Sequence, residues 1–294
     1  MNTWKRKIKA VLQLLRPHQW VKNGFVLVGI IFGHEFFTVQ LLISAIIATL
    51  AFCLLSSSVY IYNDIIDRKE DENHPIKKNR PLASKFVSLK TAITLLLLLL
   101  LTGILLGSSI SVQVTLFLIS YFILNVLYSH WLKNIVILDV FTISAGFMLR
   151  ILTGTIGLHI FPSPWLIFCG LSLTLFLGFT KRRAEIYHSV SPRKILKQYS
   201  AVFLDKMIVI TASCSIITYA LYTMNPETQA VHHTKNLIYT IPFVIYGIFR
   251  YLYLLHDEKP HQQHGEDTAK DLLLDQQLLL AVSCWLTSIF LIMM

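Results

Sequence analysis

Charge is scarce in this chain. Of its 294 residues 14% are Asp, Glu, Lys or Arg and 54% are hydrophobic, with a mean hydropathy of +0.60. That balance excludes a water-soluble fold and points to a polytopic α-helical membrane protein, since long apolar runs satisfy their backbone in a bilayer only as helices. Cysteine is scarce too. Cys53, Cys169, Cys214 and Cys284 stand isolated inside apolar runs, which excludes a disulfide frame or a cysteine metal site. The basic N-terminus (Lys5, Arg6, Lys7, Lys9) is not followed by a short apolar core with a small-residue cleavage site, so no cleavable signal peptide is expected. No repeat with a fixed period and no internal soluble domain is detectable.

What is present is a series of apolar runs. Nine spans are expected, at about 21–37, 41–62, 89–108, 112–128, 135–157, 164–181, 206–224, 237–255 and 276–294. The first is the weakest, because Lys22 and Asn23 shorten its apolar core. Residues 1–20, with Trp4 and Trp20 among the bases, read as an interfacial helix, and the whole chain, 1–294, reads as a single integral-membrane domain. With the N-terminus in the cytoplasm, Lys and Arg concentrate on alternate connections: six in residues 1–22, seven in 64–90, seven in 181–206 and three in 250–275. The opposite connections hold only Lys235. This bias implies a multi-pass protein whose N-terminus faces the cytoplasm. It assigns the net charge of +10 to one membrane face and leaves nucleic acid unnecessary as a partner.

The acids that do occur are gathered. Asn63-Asp64-Ile65-Ile66-Asp67-Arg68-Lys69-Glu70-Asp71 closes the second span, and Lys77, Lys78 and Arg80 follow at once. On a continuous helix Asp64, Asp67 and Asp71 share one face, with Asn63 on its flank. Carboxylates so close repel one another unless a cation joins them. Hard oxygen ligands suit Mg2+, which takes one or two carboxylates and fills its shell with substrate phosphate oxygens. The adjoining bases Lys77 and Arg80 would hold the anion. A solvated mixed-charge loop between two membrane helices is the competing reading.

Other polar residues interrupt the apolar spans. Tyr128 and Lys133, around the end of span four, are candidates for a phosphate or sugar hydroxyl, or for interfacial anchoring and snorkelling. Asp139 and Arg150 lie within span five. An ionisable residue there costs about 2.5–3.5 kcal/mol by insertion scales and should face a cavity or a partner. Arg150 reads equally as a lipid-phosphate ligand or a brace of the bundle. Span six ends in Lys181-Arg182-Arg183-Ala184-Glu185, where Lys181 and Arg182 lie three or four residues from Glu185 and offer a surface for a diphosphate with its metal. The His-rich, acidic segment 256–275 has no convincing zinc spacing and reads as a loop.

These residues carry a family resemblance. Asn63-Asp64-x-x-Asp67-x-x-x-Asp71 resembles the first aspartate-rich motif of the UbiA superfamily of intramembrane prenyltransferases. His74-Pro75…Lys77…Arg80-Pro81, Tyr128…Leu132-Lys133…Leu138-Asp139, Gly146-Phe147…Leu149-Arg150, Lys181-Arg182…Ala184-Glu185, Pro242-Phe243…Arg250-Tyr251 and Gly265-Glu266-Asp267 with Asp271 resemble its decaprenyl-phosphate phosphoribosyltransferase branch. The second aspartate-rich motif of the superfamily's other prenyltransferases is replaced here by Lys181-Arg182-Arg183-Ala184-Glu185, with one carboxylate.

The resemblance implies an all-α bundle of about nine transmembrane helices in a bacterial cytoplasmic membrane, with a cytoplasm-facing site. It implies transfer of a 5-phosphoribosyl group from 5-phosphoribosyl 1-diphosphate to a polyprenyl phosphate, releasing diphosphate, with Mg2+ as cofactor and Mn2+ as an alternative ion. Asn63, Asp64, Asp67 and Asp71 are then the metal ligands. Asp64, Asp67, Asp71, Lys181 and Glu185 form the catalytic set, and Lys77, Arg80, Tyr128, Lys133, Asp139, Arg150 and Arg182 bind the substrates. Prenyl transfer to an aromatic acceptor is the rival reaction. A transporter is the rival class, although it would place its site near mid-membrane.

Overall fold

A computed structural model describes residues 3–33, 38–75, 77–188, 194–256 and 275–293. Among them every regular element is helical, and eight helices are long and apolar enough to cross a membrane. In chain order the α-helices are α1 (Thr3–Leu15), α2 (Val28–Phe32), α3 (Val39–Ile66), α4 (Arg68–Glu72), α5 (Leu89–Ser108), α6 (Val112–His130), α7 (Leu138–Gly154), α8 (Pro164–His188), α9 (Ala201–Met224), α10 (Pro226–Val231), α11 (Ile241–His256) and α12 (Gln276–Met293).

Eight of the nine expected spans are thus continuous helices. The exception is 21–37. There Pro17 opens a run of 3-10 turns over Pro17–Leu27, followed by the five-residue α2. The reason is polar. The Asn23 amide is fully buried and points sideways, bonding Cys53 Sγ at 3.2 Å and Ser56 Oγ at 3.3 Å. A side chain committed in this way cannot sit on a lipid-facing helix.

The chain falls into two compact units: Met1–Ile30 with Phe36–His130 and Leu149–Ile160, and Ile31–Glu35 with Trp131–Met148 and Phe161–Met294. In the first, α5 and α6 pack on α3. Without a hydrophobic drive between helices in lipid, close packing of small residues holds such contacts. Ala45, Ala48 and Ala51 line one face of α3, fully buried, and a Cβ at Gly103 of α5 would lie 3.1 Å from the Ala51 carbonyl oxygen. The leucine run of α5 divides accordingly: Leu96 and Leu99 are buried, while Leu97, Leu98 and Leu101 are more than half exposed. Still closer is the approach of Gly154 to the 3-10 segment, where a Cβ would meet the Val26 carbonyl oxygen at 1.6 Å.

In the second unit α8 and α9 pair along their length, and α11 and α12 pack together. Ser200 caps α9 by accepting from the Phe203 N–H. The core runs through Val140, Phe176, Phe179, Leu204, Ile208, Ile248 and Tyr251, and extends at one end to Ile195, Leu196 and Tyr199.

Candidate functional site

The first polar cluster lies at the C-terminal end of α3. The helix ends at Ile66 and Asp67 occupies a turn, yet backbone bonds from Asp67 N to Asn63 O (2.9 Å) and from Asp71 N to Asp67 O (2.8 Å) carry a nearly helical course into α4. Asp64 and Asp71 therefore stay on one side, and both are buried. They converge on one guanidinium: Arg80 Nη1 lies 2.6 Å from Asp71 Oδ2 and 3.2 Å from Asp64 Oδ1. Arg16 adds a second cation, its Nη2 standing 2.6 Å from Asp64 Oδ1 and its guanidinium 5.1 Å from the Tyr60 ring centre. Asp67 is half-buried at the turn.

Asn63 is tied to α6. Ser129 Oγ lies 2.6 Å from Asn63 Oδ1 and 2.9 Å from the Asn125 carbonyl oxygen. Tyr128, half-buried, is on the same helix end. Lys77 is half-buried in the short 3-10 turn Lys77–Asn79, its N–H directed at His74 Nδ1.

The donor chemistry here suits a hard divalent ion: two buried carboxylates that already meet at one positive nitrogen, with an amide beside them. Among the described residues no three Asp, Glu, His or Cys side chains converge on one point. Asp67 keeps a right-handed helical backbone at the turn, φ −79° and ψ −1°, between Asp64 and Asp71. Two guanidiniums, those of Arg16 and Arg80, neutralise Asp64 and Asp71 here.

Arg150 sits elsewhere in this unit. Its Nε donates to Asn23 Oδ1 at 2.8 Å and its Nη2 to Tyr121 OH at 3.0 Å. Its guanidinium carbon lies 4.6 Å from the Tyr121 ring centre and 5.3 Å from that of Phe52. These contacts tie α7, α6, α3 and the 3-10 segment to one another, as a brace would.

The second cluster belongs to the other unit. Asp139 on α7 and Arg182 on α8 are both sealed from solvent. Arg182 Nε donates to Asp139 Oδ2 at 2.5 Å, and Arg182 Nη1 pairs with Glu185. Tyr199 OH donates to Asp139 Oδ1 at 2.6 Å and accepts the Ile137 N–H at 2.6 Å. Burial first, and then the bond to the Asp139 carboxylate, push the Tyr199 phenol above its ordinary range, so it keeps its proton. Ile137 has φ of 68°, a left-handed conformation that costs a β-branched residue on the order of 1–3 kcal/mol. Lys181 and Lys133 are half-buried, Lys133 on the 3-10 turn Leu132–Asn134. Arg183 pairs with Asp205 at 2.6 Å.

The structure thus joins Asp64, Asp71 and Arg80 in one unit, where Asn63 is tied to Ser129, and Asp139, Arg182 and Glu185 in the other. Residues 257–274, including Glu266, Asp267 and Asp271, lie outside the described residues. Two participants went unnoticed in the sequence: Ser129 carries no charge, and Tyr199 follows a basic segment. Arg16 opens a stretch, 16–23, that could reach the site, although membrane anchoring is the reading its position favours. Only Arg16, immediately before Pro17, bore a usable signal: a base at a helix stop.

Eight helices long and apolar enough to cross a membrane define a multi-pass membrane protein. Residues 24–265 match the sequence model of the UbiA prenyltransferase family; the chain belongs to that family and is a membrane transferase by kind. The decaprenyl-phosphate phosphoribosyltransferase of Mycolicibacterium smegmatis is 27% identical over 84% of this chain and 82% of its own. That of Corynebacterium glutamicum is 28% identical over 84% and 77%, and the nodulation protein NoeC of Azorhizobium caulinodans is 30% identical over 62% and 60%. Among solved structures, a UbiA homolog from Archaeoglobus fulgidus bound to GPP and Mg2+ aligns with a TM-score of 0.70 at 14% identity, covering 97% of this chain and 99% of that one. The likeness at that identity is one of fold.

Proposed function

We propose that the chain transfers 5-phosphoribosyl from 5-phosphoribosyl 1-diphosphate to a polyprenyl phosphate with Mg2+, in a bacterial cytoplasmic membrane, its N-terminus and reacting groups on the cytoplasmic side. The observation that carries this reading is the pairing in the second cluster. Asp139 and Glu185 both lie on Arg182, and Asp205 on Arg183. Among the described residues that cluster pairs its carboxylates with arginines, and Lys181-Arg182-Arg183-Ala184-Glu185 supplies one carboxylate where a second aspartate-rich motif would supply several. The sequence likeness to two decaprenyl-phosphate phosphoribosyltransferases supports the same reaction.

In this reading an acceptor phosphate oxygen forms a bond to the anomeric carbon as the bond from that carbon to the diphosphate oxygen breaks, and diphosphate leaves. Mg2+, when bound, neutralises the charge growing on the leaving group. Asp64, Asp71 and Asn63 would hold the ion, and Asp67 would add charge at the turn. Arg80 and Lys77 take diphosphate oxygens, and Arg16 pairs with Asp64 and orients it. Lys133, Lys181 and Glu185 orient the donor, and Tyr128 contacts its sugar. Arg150 acts as a brace. The acceptor phosphate is already ionised, so no general base is needed; neutralising two anions that repel, and aligning them, supplies the rate.

The test uses purified protein in nanodiscs with Mg2+, polyprenyl phosphate and 5-phosphoribosyl diphosphate labelled in the sugar. Label in the lipid fraction supports the reading. Transfer of label from a prenyl diphosphate to an aromatic acceptor, with none from the sugar donor, establishes the rival prenyl transfer instead.

A further inference from the structure

Between α6 and α7 the chain makes a tight run of turns. Asn134 N bonds Trp131 O, Ile135 N bonds Leu132 O, and Asp139 N bonds Ile135 O. Lys133 rides on this run, and Ile137, just before α7, is bent into the left-handed region at φ 68° although its side chain is branched at Cβ. Backbone of this kind persists only where its surroundings over-determine it. Here one side chain does so. The 3-10 turn Lys194–Gln198 packs against Leu132–Asn134, and Tyr199, immediately after it, directs its hydroxyl at both ends of the bend. The single phenolic hydrogen goes to Asp139 Oδ1, and the oxygen accepts the Ile137 N–H, each at 2.6 Å.

Asp139 in turn is fixed by Arg182, whose other arm holds Glu185. With no solvent-accessible surface, Asp139 and Arg182 touch no soluble substrate in this conformation. Their chemistry is directed inward, to one another and through Tyr199 to the Lys133 turn.

We propose that Tyr199 is a positioning residue: with Asp139 and Arg182 it clamps the 132–138 turn so that Lys133 is presented to the donor's phosphate oxygens and Glu185 to its sugar hydroxyls. This rests on the reading above that Lys133 and Glu185 orient the phosphoribosyl donor. It moves Asp139 and Arg182 from substrate contact to support, and gives the segment between α8 and α9 a part in the reaction. The clamp fits a donor carrying its own strong charge, because a lysine held within a fraction of an ångström discriminates by geometry where a mobile one does not.

The test compares wild type, Tyr199→Phe and the double variant Tyr199→Phe with Ile137→Gly in nanodiscs. Kinetics are measured against each substrate, and hydrogen exchange is followed on the Ile137 amide. Tyr199→Phe is expected to raise KM for the phosphoribosyl donor between about 10- and 100-fold while KM for the polyprenyl phosphate stays within about twofold. Ile137 exchange should accelerate. Glycine takes φ 68° without steric cost, so the double variant is expected to recover most of the donor KM. A merely structural loss would lower the active fraction and leave both KM values alone.

Ile137→Pro, which forces φ to the opposite sign and removes the same N–H, is the second variant and should reproduce the donor-selective defect even if Tyr199→Phe fails to fold. Unchanged donor KM in Ile137→Pro, a rise in both KM values together, or no rescue by glycine overturns the proposal. If no variant, wild type included, makes phosphoribosyl lipid, the reaction itself is misread; exchange at Ile137 then still decides whether the clamp exists.

Discussion

Arg80 and Asp71 are joined by a 2.6 Å bond from Nη1 to Oδ2, and that same nitrogen reaches back to Asp64 at 3.2 Å. One arginine therefore stands where two buried carboxylates need a cation. Arg80→Ala should destabilise the first unit by about 1.5–3 kcal/mol, seen as earlier thermal unfolding in detergent. It should also raise donor KM about tenfold. The Mg2+ concentration for half-maximal rate should not increase, because the guanidinium and the ion neutralise the same oxygens. A marked increase would show that Arg80 builds the metal site instead of sharing it.

Asp64→Asn and Asp71→Asn should each lower Mg2+-dependent turnover by about 10³-fold or more, since a metal clamp on a leaving group supplies several kcal/mol. Asp67→Asn, at the turn and only half-buried, should cost about tenfold. Steady-state assays across a Mg2+ titration, with folding checked by size-exclusion profile, separate the three. Equal defects at Asp67 and Asp64 would return Asp67 to the same ligand shell.

Arg150→Met should act on stability. Losing the bonds to Asn23 and Tyr121 leaves a buried amide oxygen and hydroxyl short of a partner, for a loss of about 2–3 kcal/mol. Turnover per folded molecule should be near normal. A variant of wild-type stability with a raised KM for the lipid phosphate would instead restore Arg150 to substrate binding.

Two glycines make a contrasting pair. Gly154→Ala puts a methyl 1.6 Å from the Val26 carbonyl oxygen, where backbone cannot yield, and should prevent accumulation of folded protein. Gly247→Ala, inside α11 with nothing within 4 Å, should stabilise by up to about 1 kcal/mol through helix propensity. Yields and thermal unfolding in one detergent are the measure.

Much was written in the residues. Apolar runs of bilayer length specify helices because a helix satisfies its backbone within a single segment in lipid, whereas a strand needs a closed barrel of partners, and eight of nine spans form as expected. The spacing of Asp64 and Asp71 survives folding, because a helix and a near-helical turn keep residues seven apart on one side. Spacing did not say where the helix stops: α3 ends at Ile66, and Asp67 takes a turn with a right-handed helical backbone.

Polar contacts between distant segments emerged only on folding. Arg16 meets Asp64 across 48 positions, and Tyr199 meets Asp139 across 60. No local period encodes such meetings; they depend on which helix ends the packing of small residues brings together. The residues that bear charge can be read along the chain. Which of them face a substrate, and which spend their charge on one another, is a property of the packed protein, because a buried ion must find a partner wherever the fold supplies one.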